Sequence, residues 1–324
     1  MSFIIKKPII TSYWELINDH WRNNFFHKPL SKLSKDKVVL DLGSGTGILS
    51  AYALTAGAKF VYAVDANPES AAMTQFILSR CFDQSRFKVV NCNFWGDEIA
   101  DYIKPNSVDI LVSETVGPAL FDGGMAQSWH CAKPFLKADA VSIPDCLSID
   151  VAIWQSDNID TIFDSDLLDV ASGRQLDDET LIDADFAQAL REYDAIQVES
   201  VKKLTAWKLH KKFKTPPTQY IKDICKVTKD LLPELTFNNE SGVPLKPVDI
   251  DLKFDLNLSN TKNNFVALVA KLSFEDDTIY LQDALYMPWK RGPVLQLPDS
   301  GNFQCRWVNR QGIGSLEPWS VVKL

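Results

Sequence analysis

Histidine is scarce, with 4 in 324 residues, and none shares a ligand spacing with the 6 cysteines, which stand at 81, 92, 131, 146, 225 and 305 without a C-x-x-C pair. Zinc patterns and a disulfide framework are thereby excluded, so reduced thiols and no metal are expected. No apolar run approaches the roughly 18 residues of a membrane helix. The N-terminus places Phe3-Ile4-Ile5 ahead of Lys6-Lys7-Pro8 and has no signal-peptide core. A cytoplasmic protein without a membrane partner is the expectation. Positive charge is in deficit, 34 Lys and Arg against 42 Asp and Glu for a net charge of −8. That argues against nucleic acid as a partner and fits a cationic one better. Internal repeats and low-complexity tracts are also missing. What remains, 46% hydrophobic and 23% charged residues, is ordinary for a globular chain long enough for an α/β domain plus a second unit.

Glycine is sparse as well, 14 in all, yet three fall within the five positions of Gly43-Ser44-Gly45-Thr46-Gly47. The loop joins the apolar run Val38-Val39-Leu40-Asp41-Leu42 to a helical pattern from Thr46 onward. Glycines at a strand-to-helix turn permit positive φ and let a ligand lie against bare backbone. A dinucleotide fingerprint would need glycine at position 48, where Ile48 stands. The pattern D-x-G-x-G-x-G suits a ligand without phosphate, whose methionine-like tail passes the glycines. It resembles motif I of the class I S-adenosylmethionine-dependent methyltransferases. The next apolar run, Phe60 to Val64, ends at Asp65, where a carboxylate can accept two hydrogen bonds from a ribose diol. Alone, Asp65 would as readily cap the helix near Pro68; beside the glycine loop it reads as the ribose ligand.

Strands are predicted at 37–42, 60–65, 87–92 and 108–113, with helices at about 46–56, 68–80 and 123–136. Strands alternating with helices imply a parallel, doubly wound Rossmann-like sheet over residues 36–145, preceded by an N-terminal helical segment, 1–35. In such sheets ligands bind beyond the carboxyl ends of the strands, where the glycine loop, Asp65 and Glu114 all fall. Period-two patterns in 146–154 and 248–256 and a further strand in 264–274 predict a mostly β second domain, 146–324. Its insertion, about 157–235, is acidic up to Asp194 and lysine-rich from Lys202 to Lys229. Both halves have helical potential, although charge blocks are more often solvated faces than binding sites.

The segment from Val108 through Ser113-Glu114-Thr115-Val116-Gly117-Pro118 to Phe121-Asp122-Gly123-Gly124-Met125 narrows the family. It resembles the double-glutamate loop of the protein arginine methyltransferases, in which two carboxylates clamp the substrate guanidinium. The stretch Asn18-Asp19-His20-Trp21-Arg22-Asn23 is similar to the family's Asp-Glu-x-Arg helix, Val141-Ser142-Ile143-Pro144 to its hinge into a β-barrel, and Tyr286-Met287-Pro288-Trp289-Lys290 to its Thr-His-Trp loop. The motifs occur in the family's order from about residue 12 to 297. The resemblance implies S-adenosylmethionine as cofactor, held by Arg22, Asp41, Gly43, Ser44, Gly45, Gly47, Asp65, Ala66, Asn93 and Phe94. It implies Glu114, Asp122 and Asp19 as catalytic residues, Met125 and Trp289 in the substrate pocket, and the 157–235 insertion as the dimerisation arm of a homodimer. The bland alternatives are a core role for Met125, Trp289 and Trp95, and a helix cap for Glu114.

Two departures stand out. Gly123 occupies the place of the second clamp carboxylate, nine residues after Glu114, with Asp122 one position early, and Pro288 replaces the loop histidine that would pair with Asp19. A guanidinium lacks an available lone pair, and two carboxylates on one edge leave its remaining nitrogen nucleophilic. One carboxylate polarises it less. The expected function is therefore methyl transfer to a cationic or amine-bearing acceptor, protein or small molecule. A methyltransferase for a different nitrogen or oxygen nucleophile and a cofactor-binding scaffold stay open.

Overall fold

The computed structural model describes residues 13, 16–17, 20–116, 125–155, 168–169, 183–201, 208–209, 226–228, 235–236, 250–258, 264–280, 294–297, 300–309 and 319–324. The chain divides into two compact units: residues 1–114, 131–143 and 165–212 in the first, and 115–130, 144–164 and 213–324 in the second.

The first unit is built on a five-stranded sheet of β1 (Val38–Leu42), β2 (Phe60–Asp65), β3 (Phe87–Asn91), β4 (Val108–Ser113) and β5 (Leu136–Ile143), in the order β3-β2-β1-β4-β5. All pairings are parallel. The central strands read as near-continuous apolar runs because helices cover both faces of a parallel sheet, and Val39, Leu40, Leu42, Val61, Val64, Leu111 and Val112 are all at most 1% exposed. Helix α1 (His20–Leu33) precedes the sheet, α2 (Ile48–Thr55) follows β1, and α3 (Pro68–Cys81) follows β2. Asn67 caps α3 by accepting from the Glu69 N–H at 2.8 Å, with Pro68 in the first turn, where its missing N–H costs nothing. At the opposite end of the sheet, Asp109 accepts from the Val38 N–H at 2.9 Å and from Lys137 Nζ at 2.7 Å. Those bonds, aided by Lys37, hold its carboxyl below the ordinary value despite partial burial.

The expected helix at 123–136 is shorter. α4 covers Met125–Ala132, a single 3-10 turn spans Lys133–Phe135, and β5 runs on from Leu136 to Ile143, taking in the first three residues of the stretch 141–144. β5 is an edge strand, and it carries Lys137 and Asp139 on an incompletely buried ribbon, so its apolar signal is weak.

Within the insertion, α5 (Ala184–Val201) belongs to the first unit and packs on α3. Tyr193 meets Phe76 edge to face, with centroids 5.2 Å apart, and Arg80 Nε donates to Glu192 at 2.8 Å. The lysine-rich half departs from its helical reading: its described residues include the short strands Lys208–Leu209 and Lys226–Thr228.

The second unit is antiparallel. Its longest pairing joins β6 (Cys146–Gln155) to the strand Asn264–Phe274 over ten residue pairs. The strands Leu235–Thr236, Lys226–Thr228, Asp277–Tyr280 and Val294–Leu297 complete a six-stranded sheet. A separate three-stranded sheet joins Ile250–Leu258, Gly301–Asn309 and Trp319–Lys323. Among the described residues no helix is long and apolar enough to cross a membrane.

Candidate active site

Strand order reverses between β1 and β4, since β1 pairs β2 on one side and β4 on the other. Leu42 is level with both Val64 and Ser113. Gly43, Asp65 and Glu114 are therefore the next residues out on three adjacent strands, at the switch point where open α/β sheets take their ligands. The Ser113 hydroxyl donates to the Leu42 carbonyl at 2.9 Å and locks the two strand ends together.

The glycine loop is tied down at each turn. Gly43 and Ser44 donate their N–H groups to the Val64 carbonyl at 2.8 and 3.1 Å. Gly45 N–H donates to Asp65 Oδ2 at 2.9 Å, and the Gly45 carbonyl accepts from Thr74 Oγ1 at 2.8 Å. Gly45 and Gly47 have φ of +55° and +81°, the left-handed region that favours glycine. A Cβ on Gly47 would lie 3.1 Å from Thr74 Cγ2 of α3. A Cβ on Gly45 would lie 2.9 Å from Cε1 of Tyr13, so the bare backbone there admits a tyrosine ring. Tyr13 donates to or accepts from Ser70 Oγ at 3.0 Å. Burial pushes its phenol above the ordinary value, with the carboxylates of Asp65 and Glu114 acting in the same sense. Tyr13 therefore stands among the groups at the strand ends, a residue without any motif in the sequence.

Asp65 is 9% exposed, and its second oxygen accepts from the Asn67 N–H at 2.8 Å. Burial raises its pKa, against the two backbone hydrogen bonds. Each oxygen holds one N–H and keeps acceptor capacity for one hydroxyl, which suits a vicinal diol. Asn91 Nδ2 donates to the Asp65 carbonyl at 2.9 Å and fixes the tip of β2 against β3. Asp41 is fully buried: Oδ2 accepts from Ser50 Oγ at 2.6 Å, and Oδ1 has no hydrogen-bond partner. Burial lifts its pKa to about 7, opposed by the bonds from Ser50. A buried carboxylate oxygen without a donor fits an ammonium group.

Arg22, on α1, donates through Nε to Glu114 Oε2 at 2.8 Å, with Nη2 2.7 Å from the same oxygen, and through Nη1 to Asn23 Oδ1 at 2.9 Å. Asn23 in turn donates to the Ile17 carbonyl at 2.7 Å and ties α1 to the segment before it. The residues expected to hold two different ligands thus hold each other.

Of the other expected residues, Ser44 is 5% exposed with its hydroxyl 3.3 Å from Thr74 Oγ1, and Ala66 is exposed at the tip beyond β2. Asn93 is exposed after β3 and accepts from the Trp95 N–H at 3.0 Å. Phe94 is 7% exposed and packs near Phe135, with centroids 6.2 Å apart. Trp95, expected to pack, is instead 48% exposed. Asp19, Asp122, Gly123, Pro288 and Trp289 lie outside the described residues, as does the side chain of Met125.

Residues 22–162 match the family model of the FtsJ-like methyltransferases. Over 147 residues, 44% of this chain, the sequence is 34% identical to protein arginine N-methyltransferase 6 of Xenopus tropicalis. The match spans 42% of that relative's length. In fold, the chain is similar to a crystal structure of PRMT6 with SAH, with a TM-score of 0.55 and 16% identity over 97% of this chain and 98% of that one. It is also similar to the Trypanosoma brucei PRMT1 enzyme-prozyme heterotetrameric complex with AdoHcy, with a TM-score of 0.51 and 17% identity over 97% of this chain and 98% of that one. In sequence over 44% of its length and in fold over 97% of it, the chain is like protein arginine methyltransferases.

Proposed function

We propose that the protein is an S-adenosylmethionine-dependent methyltransferase acting on a cationic or amine-bearing acceptor. The observation that carries the reading is the set of groups at one switch point: Asp65 with spare acceptor capacity on both oxygens, Asp41 with an unpartnered buried oxygen, and the Arg22 guanidinium. These complement a diol, an ammonium and a carboxylate, the polar ends of a nucleoside joined to an amino acid. S-adenosylmethionine would supply a methyl group already activated on a sulfonium. The chain's own tasks are then to bind, orient and exclude water. Asp65 holds the nucleoside side, Asp41 and Arg22 with the Gly43–Gly45 backbone hold the amino-acid side, and Tyr13 covers the glycine loop. Glu114 attracts the cation of the acceptor and orients it.

The observation favouring a second reading is Gly123 in the place of the second carboxylate. Without that partner an amine or hydroxyl acceptor needs less polarisation than a guanidinium does. We read the antiparallel sheets of the second unit as a β-barrel-like acceptor domain, the insertion as the element of a homodimer, and the setting as cytoplasmic. A scaffold role without transfer is the outcome if no acceptor exists.

Titration calorimetry with S-adenosylmethionine and its demethylated product tests the cofactor. Micromolar or tighter binding is expected, about −8 kcal/mol, and no binding up to millimolar ligand overturns the reading. Incubation with labelled cofactor and a cell lysate, followed by mass spectrometry of the labelled acceptor, tests the transfer.

A further inference from the structure

Tyr52 lies one turn into α2 and is 5% exposed. Its ring packs edge to face on His27 of α1, with centroids 4.9 Å apart and planes at 80°. The hydroxyl at its tip is buried and has no hydrogen-bond partner. Phenylalanine would fill the same space without stranding a polar atom, so the oxygen calls for an occupant that pairs with it. The surroundings specify the occupant's charge. Burial raises the phenol's pKa, and Arg22, five residues before His27 on α1, exerts its positive field against that rise. The hydroxyl thus stays protonated at neutral pH and serves as a donor within the field of a guanidinium. Asp41, whose Oδ1 is likewise unpartnered, also lies in the field of Arg22. A neutral donor and a cation together favour a carboxylate, and a buried carboxylate opposite an ammonium is the head of an amino acid.

We infer that the Tyr52 hydroxyl is a second donor, beside Arg22, to the carboxylate at the amino-acid end of the ligand bound at the strand ends. The inference rests on the cofactor reading given above and adds to it a residue that discriminates by ligand charge. Tyr52, on α2 with its ring against His27 of α1, acts on binding and not on the transfer itself.

The test compares the wild type with Tyr52→Phe by titration calorimetry against two probes. S-adenosylhomocysteine carries the amino-acid head; 5′-methylthioadenosine keeps the nucleoside and thioether but has no carboxylate. Tyr52→Phe is expected to weaken S-adenosylhomocysteine about tenfold, the worth of one hydrogen bond to a charged group, and to leave methylthioadenosine within about twofold. The melting temperature of the unliganded variant should not fall, since the substitution removes an unpartnered atom. Unchanged affinity for both probes, or an equal loss for both, overturns the inference, as does a lower unliganded melting temperature, which would place the hydroxyl's partner inside the protein. A wild type that binds neither probe overturns the cofactor reading itself, an outcome separate from the first three.

Discussion

Arg22 and Glu114 meet on a single carboxylate oxygen, with Nε at 2.8 Å and Nη2 at 2.7 Å, and their side chains are only 8% and 7% exposed. The pair closes α1 over the end of β4. Removing one member of such a pair strands the other charge, which costs about 3–5 kcal/mol. Arg22→Ala is therefore expected to lower stability in urea unfolding by about 3 kcal/mol. Arg22→Met with Glu114→Leu should recover most of that loss, because neither charge is then left alone. A single variant as stable as the wild type would mean the pair is open in solution.

The same pair bears on the proposed methyl transfer. Glu114→Gln keeps the shape and removes the charge that engages Arg22. Methyl transfer should fall by about 10²-fold or more, as on loss of a preorganised electrostatic group. Cofactor affinity should hold or rise several-fold, because Arg22 no longer answers to an internal carboxylate. Single-turnover kinetics and calorimetry on one preparation separate the two effects, and a drop in affinity equal to the drop in rate would remove Glu114 from the acceptor side.

Gly45 combines a φ of +55° with the ring of Tyr13 at 2.9 Å from its Cβ position. Gly45→Ala should cost roughly 1–2 kcal/mol for the left-handed backbone and a further amount for displacing the ring. Adding Tyr13→Ala should return only the second part. Denaturant unfolding of the single and double variants measures both, and a Gly45→Ala protein of wild-type stability would show that Tyr13 does not rest on the loop.

Much of this edge could be read from residue patterns alone. The apolar runs ending at Leu42, Asp65 and Ser113 mark strands buried on both faces, and strand-end logic then brings the glycine loop, Asp65 and Glu114 together without any long-range information. Tyr13 could not be read in this way, since it reaches Gly45 across 32 residues and a lone tyrosine near a terminus has no period. Tyr52 was hidden for a different reason: on a helix buried nearly all round, from Ile48 to Leu54, an aromatic counts as apolar and its hydroxyl goes unseen. β5 escaped because Lys137 and Asp139 break its apolar run, as an edge strand allows. The Arg22–Glu114 contact joins two residues whose motifs point to separate ligands, and only the packing of α1 against the sheet brings them together.

On α5 the apolar and ionic contacts differ in weight. Arg80 and Glu192 are 44% and 42% exposed, so solvent screening leaves their ion pair little weight. Tyr193 is 7% exposed against Phe76, and truncating a buried aromatic costs about 3–5 kcal/mol. Tyr193→Ala should loosen α5 far more than Glu192→Ala does. Cys81 at the end of α3 reports the change: burial, with Asp183 and Asp185 adding to it, lifts its thiol to about 11 and suppresses the thiolate. Faster alkylation at Cys81, located by mass spectrometry, is expected in Tyr193→Ala alone, and equal rates in both variants would contradict the ranking.

The proposed role of Asp41 toward the ligand predicts a dependence on pH. Burial raises its pKa to about 7 in the folded chain, from about 3.9 in an unfolded one, so between these values the folded state binds the extra proton. Stability should therefore fall as pH rises through that window and level off above 7, the reverse of a salt-bridged carboxylate. An ammonium at Oδ1 needs the ionised form. Affinity for the demethylated product, whose amino group stays charged throughout, should then rise with pH, being about tenfold weaker at pH 6 than on the plateau above pH 7, with a proton released on binding below it. Asp41→Asn keeps an acceptor for Ser50 Oγ while removing the titration, so its affinity should be weaker and flat with pH, and its stability should no longer decline from pH 4 to 7. Calorimetry across that range in buffers of different ionisation enthalpy counts the released proton directly. Wild-type affinity that does not change between pH 5.5 and 8 would separate Asp41 from the ligand, whatever the glycine loop holds.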